Sequence, residues 1–184
     1  MANAVIRATL FLLAFAMATW SPAHAQSGLR LAEQDIKAGL LYSFLRYTDW
    51  PNPNQAAPVR VCMFGRDSFD GRLQPLAGRT VNQRAIEVTI VRAPAETDAC
   101  ALLFVSTADE ARWPELRAHL AGHDVMTVGD FGGFAASGGM IEFVRAENRI
   151  GVNINVEAVR SGRLAVQDRL LRLGSAVRTA ATRP

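Results

Sequence analysis

Lysine is almost missing from this chain: of its 20 cationic residues only Lys37 is lysine, and the rest are arginine. Charge of one sign is scarce too, with 20 basic against 17 acidic residues and a formal net charge of +3. The sequence pI of 9.4 therefore does not announce a nucleic-acid binder, because the cations are interleaved with Asp and Glu rather than gathered on one stripe. Histidine is limited to three residues and cysteine to two. A metal site would have to start from His119 and His123, with Gly122 between them near a predicted helix end, and these read as ordinary surface histidines; no metal or cofactor is expected. Missing as well are a His-Glu-x-x-His zinc motif, a Gly-x-Ser-x-Gly nucleophile elbow and a phosphate loop ending in Gly-Lys-Ser/Thr. Beyond the first 20 residues the longest apolar run is Ala99 to Val105, far short of the roughly 20 residues that span a bilayer.

What is present is an ordinary globular balance, 49% hydrophobic and 20% charged, which excludes disorder and collagen-like repeats. The first 25 residues have the layout of a secretory signal: Arg7 closes the n-region, Leu10 to Ala18 is apolar, and Ala23-His24-Ala25 offers small residues to a peptidase. The expected product starts at Gln26 and is an exported protein of one domain, residues 26–184, working outside the cytoplasm; retention of the segment as an anchor is the alternative. In such an oxidising compartment Cys62 and Cys100 are expected to form a disulfide. Two buried free thiols are the other possibility.

Apolar spacing predicts an amphipathic helix over 31–48, stopped by Asp49-Trp50-Pro51 because the residue before proline leaves the α region. Strands are expected at Val59 to Phe64, Ala85 to Val91, Ala99 to Val105, which as a continuous apolar run belongs inside a sheet, and Asp124 to Val128. Between them, Phe69, Leu73 and Leu76 suggest a short helix capped by Asp67, and Trp113, Leu116 and Leu120 another, ended by Gly122. Met140 to Val144 and Arg149 to Asn155 pattern as a hairpin, and Val166, Leu170, Leu173 and Val177 as a final helix. The fold class is α/β: a layered domain with a mostly parallel sheet flanked by helices and an antiparallel hairpin near the C-terminus.

Glu142, set between Ile141 and Phe143, is the most informative polar residue. If covered, its carboxylate needs a cation or an amide, and Arg46 and Arg145 are available. With Asn153 and Asn155 alternating on one hairpin face, these residues outline either a small-ligand pocket or a structural salt bridge. Phe131-Gly132-Gly133-Phe134 and Gly138-Gly139 read as tight turns, with an anion site at their backbone N–H groups as the alternative.

The segment Ile36-Lys-Ala-Gly-Leu-Leu-Tyr-Ser-Phe-Leu-Arg-Tyr-Thr-Asp-Trp-Pro51 resembles the opening helix of the YfiR family of periplasmic regulators. Val61-Cys62 before Phe64-Gly65, Cys100 before a strand ending at Ser106, Gly138-Gly-Met-Ile-Glu-Phe143 and Asn153-Ile-Asn155 follow in the family's order, over roughly residues 33–178. The resemblance implies a non-enzymatic protein, often a homodimer, that binds and represses the periplasmic portion of a membrane-bound diguanylate cyclase and so lowers cyclic-di-GMP signalling. Family members carry a second disulfide in some cases, which this chain lacks. Tyr47, Trp50 and the final helix are then candidate partner contacts, with packing into the core as the alternative for each. A periplasmic ligand-binding module feeding another sensor or transporter is the alternative function.

Overall fold

The computed structural model describes residues 23–51, 57–146, 149–172 and 174–177. The chain divides into two compact units, Met1–Ala32 and Glu33–Pro184. The expected export segment lies outside the described residues except for Ala23–Ala25, which open helix α1 (Ala23–Arg46). The helix stops two residues earlier than its apolar spacing suggested. Thr48 instead joins the short strand β1 (Thr48–Asp49).

The second unit is built on an eight-stranded sheet. In chain order its strands are β2 (Val59–Phe64), β3 (Thr80–Val81), β4 (Arg84–Val91), β5 (Leu102–Val105), β6 (Met126–Gly129), β7 (Ile141–Ala146), β8 (Arg149–Asn155) and, after the two-residue β9 (Ala165–Val166), β10 (Ser175–Val177). Across the sheet they run β10-β8-β7-β6-β5-β2-β4-β3, while β9 pairs with β1 in a separate antiparallel ribbon. The pairs β2–β4, β2–β5, β5–β6, β6–β7 and β8–β10 are parallel. The β7–β8 hairpin and β3–β4 are antiparallel, so the expected mostly parallel α/β sheet with a late hairpin is what forms. The hairpin's tip, residues 147–148, lies outside the described residues.

Strand β5 occupies the interior position that its uninterrupted apolar sequence demanded, and all four of its residues are buried. Alternation along the strands sends the core to two faces. On one, Val61, Met63, Leu102, Phe104, Met126, Val128, Ile141 and Phe143 meet Leu41, Phe44 and Leu45 of α1. On the other, Cys62, Phe64, Leu103 and Val105 meet Phe131, Phe134 and the helix α2 (Trp113–His119) through Trp113 and Leu116.

Two expected helices are absent. Between β2 and β3, Asp67 does act as a cap, accepting the N–H groups of Phe69 and Gly71. Asp70 and Gly71 then take positive φ values of 49° and 80°, which no right-handed helix can continue through, and only a single 3-10 turn, Gln74–Leu76, follows. At the C-terminus the expected helix through Val166 and Val177 is divided into β9, one helical turn α4 (Asp168–Leu171) and β10; Leu173 lies outside the described residues. The break falls at Gly174, where a Cβ would lie 2.7 Å from Ile154 Cγ1 and 2.9 Å from the Val152 carbonyl. Only glycine lets the chain come this close to β8 and pair with it.

Candidate functional site

The loop 130–139, between β6 and β7, is the place where the polar residues of the hairpin converge. Register pairs Glu142 with Asn153 across β7 and β8, which puts both side chains on the sheet face opposite α1, and Asn155 two residues on shares that face. Glu142 is 6% exposed and Asn155 2%. Burial of a carboxylate demands hydrogen bonds, and Glu142 takes them from the backbone of the loop, accepting the N–H of Gly133 at 3.3 Å and of Ala135 at 2.9 Å. The glycine-rich turn does gather N–H groups around an anion, and the anion is the protein's own.

Asn155 secures the same loop from a second side. Its Nδ2 donates to the Ala135 carbonyl at 2.8 Å, and its Oδ1 caps the following helix α3 (Val156–Ser161) by accepting the Ala158 N–H at 3.0 Å. From α2, Trp113 Nε1 donates to Ser137 Oγ and Arg117 Nη1 to the Ser137 carbonyl. The ring of Phe134 lies over Gly129 and Gly139, where a Cβ would come within 2.6 Å and 2.2 Å of it; any larger residue at either position would expel the ring from the core.

The loop's first residue is tied to the opposite layer. Asp130 Oδ2 accepts from Lys37 Nζ of α1 at 2.9 Å, and its Oδ1 accepts the Thr107 N–H at 2.8 Å. Lys37 also pairs with Glu33 at 2.7 Å, one helical turn back, and Glu33 pairs with Arg145. The only lysine of the chain is thus 5% exposed and its ammonium is shared by two carboxylates, as burial of that charge requires.

This geometry redistributes the expected pocket residues. Glu142, Asn153 and Asn155 share a face, whereas Arg145 pairs with Glu33 on the α1 face and Arg46 lies exposed beside Tyr42. Neither arginine is the partner of Glu142. A cavity of about 650 Å³ opens next to the loop, lined among others by Trp113, Leu120, Thr127, Met140, Asn155 and Ala158. The Lys37–Asp130 link was missed in the sequence: Glu33 four residues earlier signals only the pair within the helix, and Asp130 lies 93 residues away.

Cys62 and Cys100 are bonded in a disulfide, with Cα atoms 5.9 Å apart, beneath the α2 face of the sheet.

Residues 34–175 match the model of the YfiR/HmsC-like family. The chain belongs to that family. YfiR/HmsC-like proteins are periplasmic regulators that work with diguanylate cyclases. No curated protein matches the chain significantly. Among solved structures it is similar to an ABC domain from Streptococcus pneumonia crystallised in complex with L-Trp, at 8% identity and a TM-score of 0.50. The likeness covers 79% of this chain and 60% of that one, and at this identity it speaks for the fold alone. No helix among the described residues is long and apolar enough to cross a membrane.

The two aromatic residues that the YfiR resemblance marks as partner contacts sit at the junction after α1. Both are half-buried and pack against the core. Trp50 Nε1 donates to the Ala101 carbonyl at 3.0 Å, and Arg169 lies over the Tyr47 ring at 5.5 Å. Trp50 also lines a second cavity, of about 570 Å³, at the amino-terminal edge of β2 and β5.

Proposed function

We propose that this YfiR/HmsC-like chain is an exported, non-enzymatic repressor that binds the periplasmic portion of an inner-membrane diguanylate cyclase and lowers cyclic-di-GMP signalling. Family membership across residues 34–175 carries the proposal. A repressor needs no catalytic group; it needs a surface that binds the inactive state of its partner more tightly than the active one, and the partner's equilibrium then shifts by that difference. Trp50 and Tyr47 supply half-exposed aromatic surface for such a contact. The homodimer belongs to the same proposal, supported by Ile36 of α1, a large apolar side chain left 51% exposed.

The deciding experiment is cellular cyclic di-GMP after deletion of the gene, with complementation by copies that carry or lack residues 1–25. A rise reversed only by the exported copy is the expected result. No rise in cells shown to contain the protein would sink repression.

The cavity beside loop 130–139 supports a second reading, a small-ligand module in which Asn155 contributes to the lining and occupancy tunes the regulator. A thermal-shift screen of small anionic and aromatic molecules tests it. Ligand binding to the native state raises stability by RT ln(1 + [L]/Kd), and an Ala158→Phe variant that fills the cavity should abolish the shift.

A further inference from the structure

At the amino-terminal edge of the sheet, outside loop 130–139, three metal-ligating side chains converge. His119 is the last residue of α2, His123 follows the turn at Gly122, and Asp98 belongs to the 3-10 segment Pro94–Ala99 that leads into β5. His119 Nε2 lies 2.6 Å and His123 Nε2 3.5 Å from the same carboxylate oxygen, Asp98 Oδ1. One ligand atom from each residue falls within 4.8 Å of the others, and the imidazole rings lie nearly parallel, 5.5 Å apart with 15° between their planes.

We propose that Asp98, His119 and His123 form a binding site for a divalent transition cation of the Zn²⁺ type. The donor set is the argument. Two imidazole nitrogens and one carboxylate oxygen suit Zn²⁺ and its neighbours rather than Mg²⁺ or Ca²⁺, which prefer oxygen alone. A tetrahedral zinc with bonds of about 2.0–2.2 Å spaces its donors about 3.3–3.6 Å apart; here the imidazole donors lie 2.6 Å and 3.5 Å from the shared Asp98 oxygen and all within 4.8 Å of one another. The side chains are 30%, 40% and 47% exposed for His119, His123 and Asp98, so rotamer adjustment closes the remaining gap and an entry path from solvent exists. Three protein ligands leave a fourth position for water or an outside donor.

Two further observations favour a ligand over a plain surface cluster. Nδ1 of His123 is buried without a hydrogen-bond partner, so only the Asp98 carboxylate beside Nε2 biases the ring's tautomer, and a cation between the two would take over that contact. The arginines that line the same cavity are engaged elsewhere: Arg163 pairs with Asp124, Arg60 with Glu87, and Arg84 donates to the carbonyls of Ala57 and Pro58. The site joins the connections that enter β5 and β6, and Asp98 and His123 also line the cavity that holds Trp50. A bound cation would clamp these connections, which lie in the native state only, and would stabilise the fold in proportion to its occupancy.

The test is calorimetric titration of the purified, tag-free protein with ZnCl₂, with thermal melts in parallel. One saturable site per chain and a rise in Tm are expected, with Mg²⁺ producing no shift. Affinity for Zn²⁺ should fall at least tenfold in His119→Ala and in Asp98→Asn, and saturable binding should vanish in His119→Ala/His123→Ala. Metal-free melting temperatures report whether each variant folds, and His119→Gln serves where alanine does not. Absence of saturable binding up to 1 mM Zn²⁺, an equal response to Mg²⁺, or binding retained by the folded double variant would overturn the site.

Discussion

Glu142 and Asn155 hold one residue, Ala135, by its two backbone groups: the carboxylate accepts its N–H at 2.9 Å and the side-chain amide donates to its carbonyl at 2.8 Å. Shared anchorage of this kind makes the two side chains energetically dependent. Glu142→Ala leaves two N–H groups of the loop without an acceptor and should cost about 2–3 kcal/mol. Asn155→Asp keeps the cap on α3 but turns a donor into an anion facing a carbonyl, at a cost of about 2 kcal/mol. Because both act on Ala135, the double variant should fall short of the sum by more than about 0.5 kcal/mol. Urea unfolding of the four-member cycle checks this, and strict additivity would show that the two anchors act independently.

Lys37→Met retains the aliphatic stem and removes the charge. Asp130 and Glu33 are then left as partly buried carboxylates, although Asp130 keeps its bonds from Thr107. We expect a loss of about 2–3 kcal/mol, below the 3–5 kcal/mol of a fully buried pair because both acids retain some solvent. Adding Asp130→Asn should recover part of the loss, measured as the shift in the denaturation midpoint.

The disulfide closes 38 residues, for which loop-closure entropy gives about 4 kcal/mol. Cys62→Ala/Cys100→Ala should lower stability by about 2–4 kcal/mol. Since Cys62 and Cys100 are 0% and 4% exposed, reductant should reach the bond only through opening of the structure, so loss of the disulfide should follow the unfolding rate rather than reductant concentration. Mass spectrometry of alkylated samples over time distinguishes the two regimes.

Trp50→Phe keeps most of the apolar contact and gives up the bond to the Ala101 carbonyl, a loss of about 1 kcal/mol. If the partner contacts the indole, cyclic di-GMP should rise in cells carrying this variant at matched protein level, and Tyr47→Leu should act in the same direction. Wild-type repression by both variants would remove these residues from the interface.

The sheet was legible in the sequence wherever one local signal agreed with the tertiary role. Ala99 to Val105 reads as an interior strand because both of its faces are covered, and the alternation at Ala85 to Val91 marks β4. The hairpin was visible for the same reason, and so was the common face of Asn153 and Asn155; that Glu142 joins it follows from the register. The C-terminal segment was not, because Val166 and Leu170 fit a helical period equally well, and the deciding fact is how closely Gly174 approaches β8. The helix expected around Phe69 failed at Asp70, whose left-handed backbone carries no compositional mark. At the candidate site the sequence singled out Glu142 but left open whether it is covered, and it did not find the partner: backbone N–H groups are present at nearly every residue, and only the fold selects the pair at Gly133 and Ala135. Asp98 stayed hidden beside the two histidines because 21 residues separate it from His119.

The burial of Lys37 also has a practical side. With the sole lysine enclosed between two carboxylates, the surface presents no side-chain amine, and reagents that acylate amines have only the α-amino group to attack. Amine-directed cross-linking of a complex would have only that terminal amine to use on this chain, and a yield near zero would say little about how tight the assembly is. Carboxylate-directed or photoactivated reagents, which can use the exposed acids, are the chemistry by which its neighbours could be trapped.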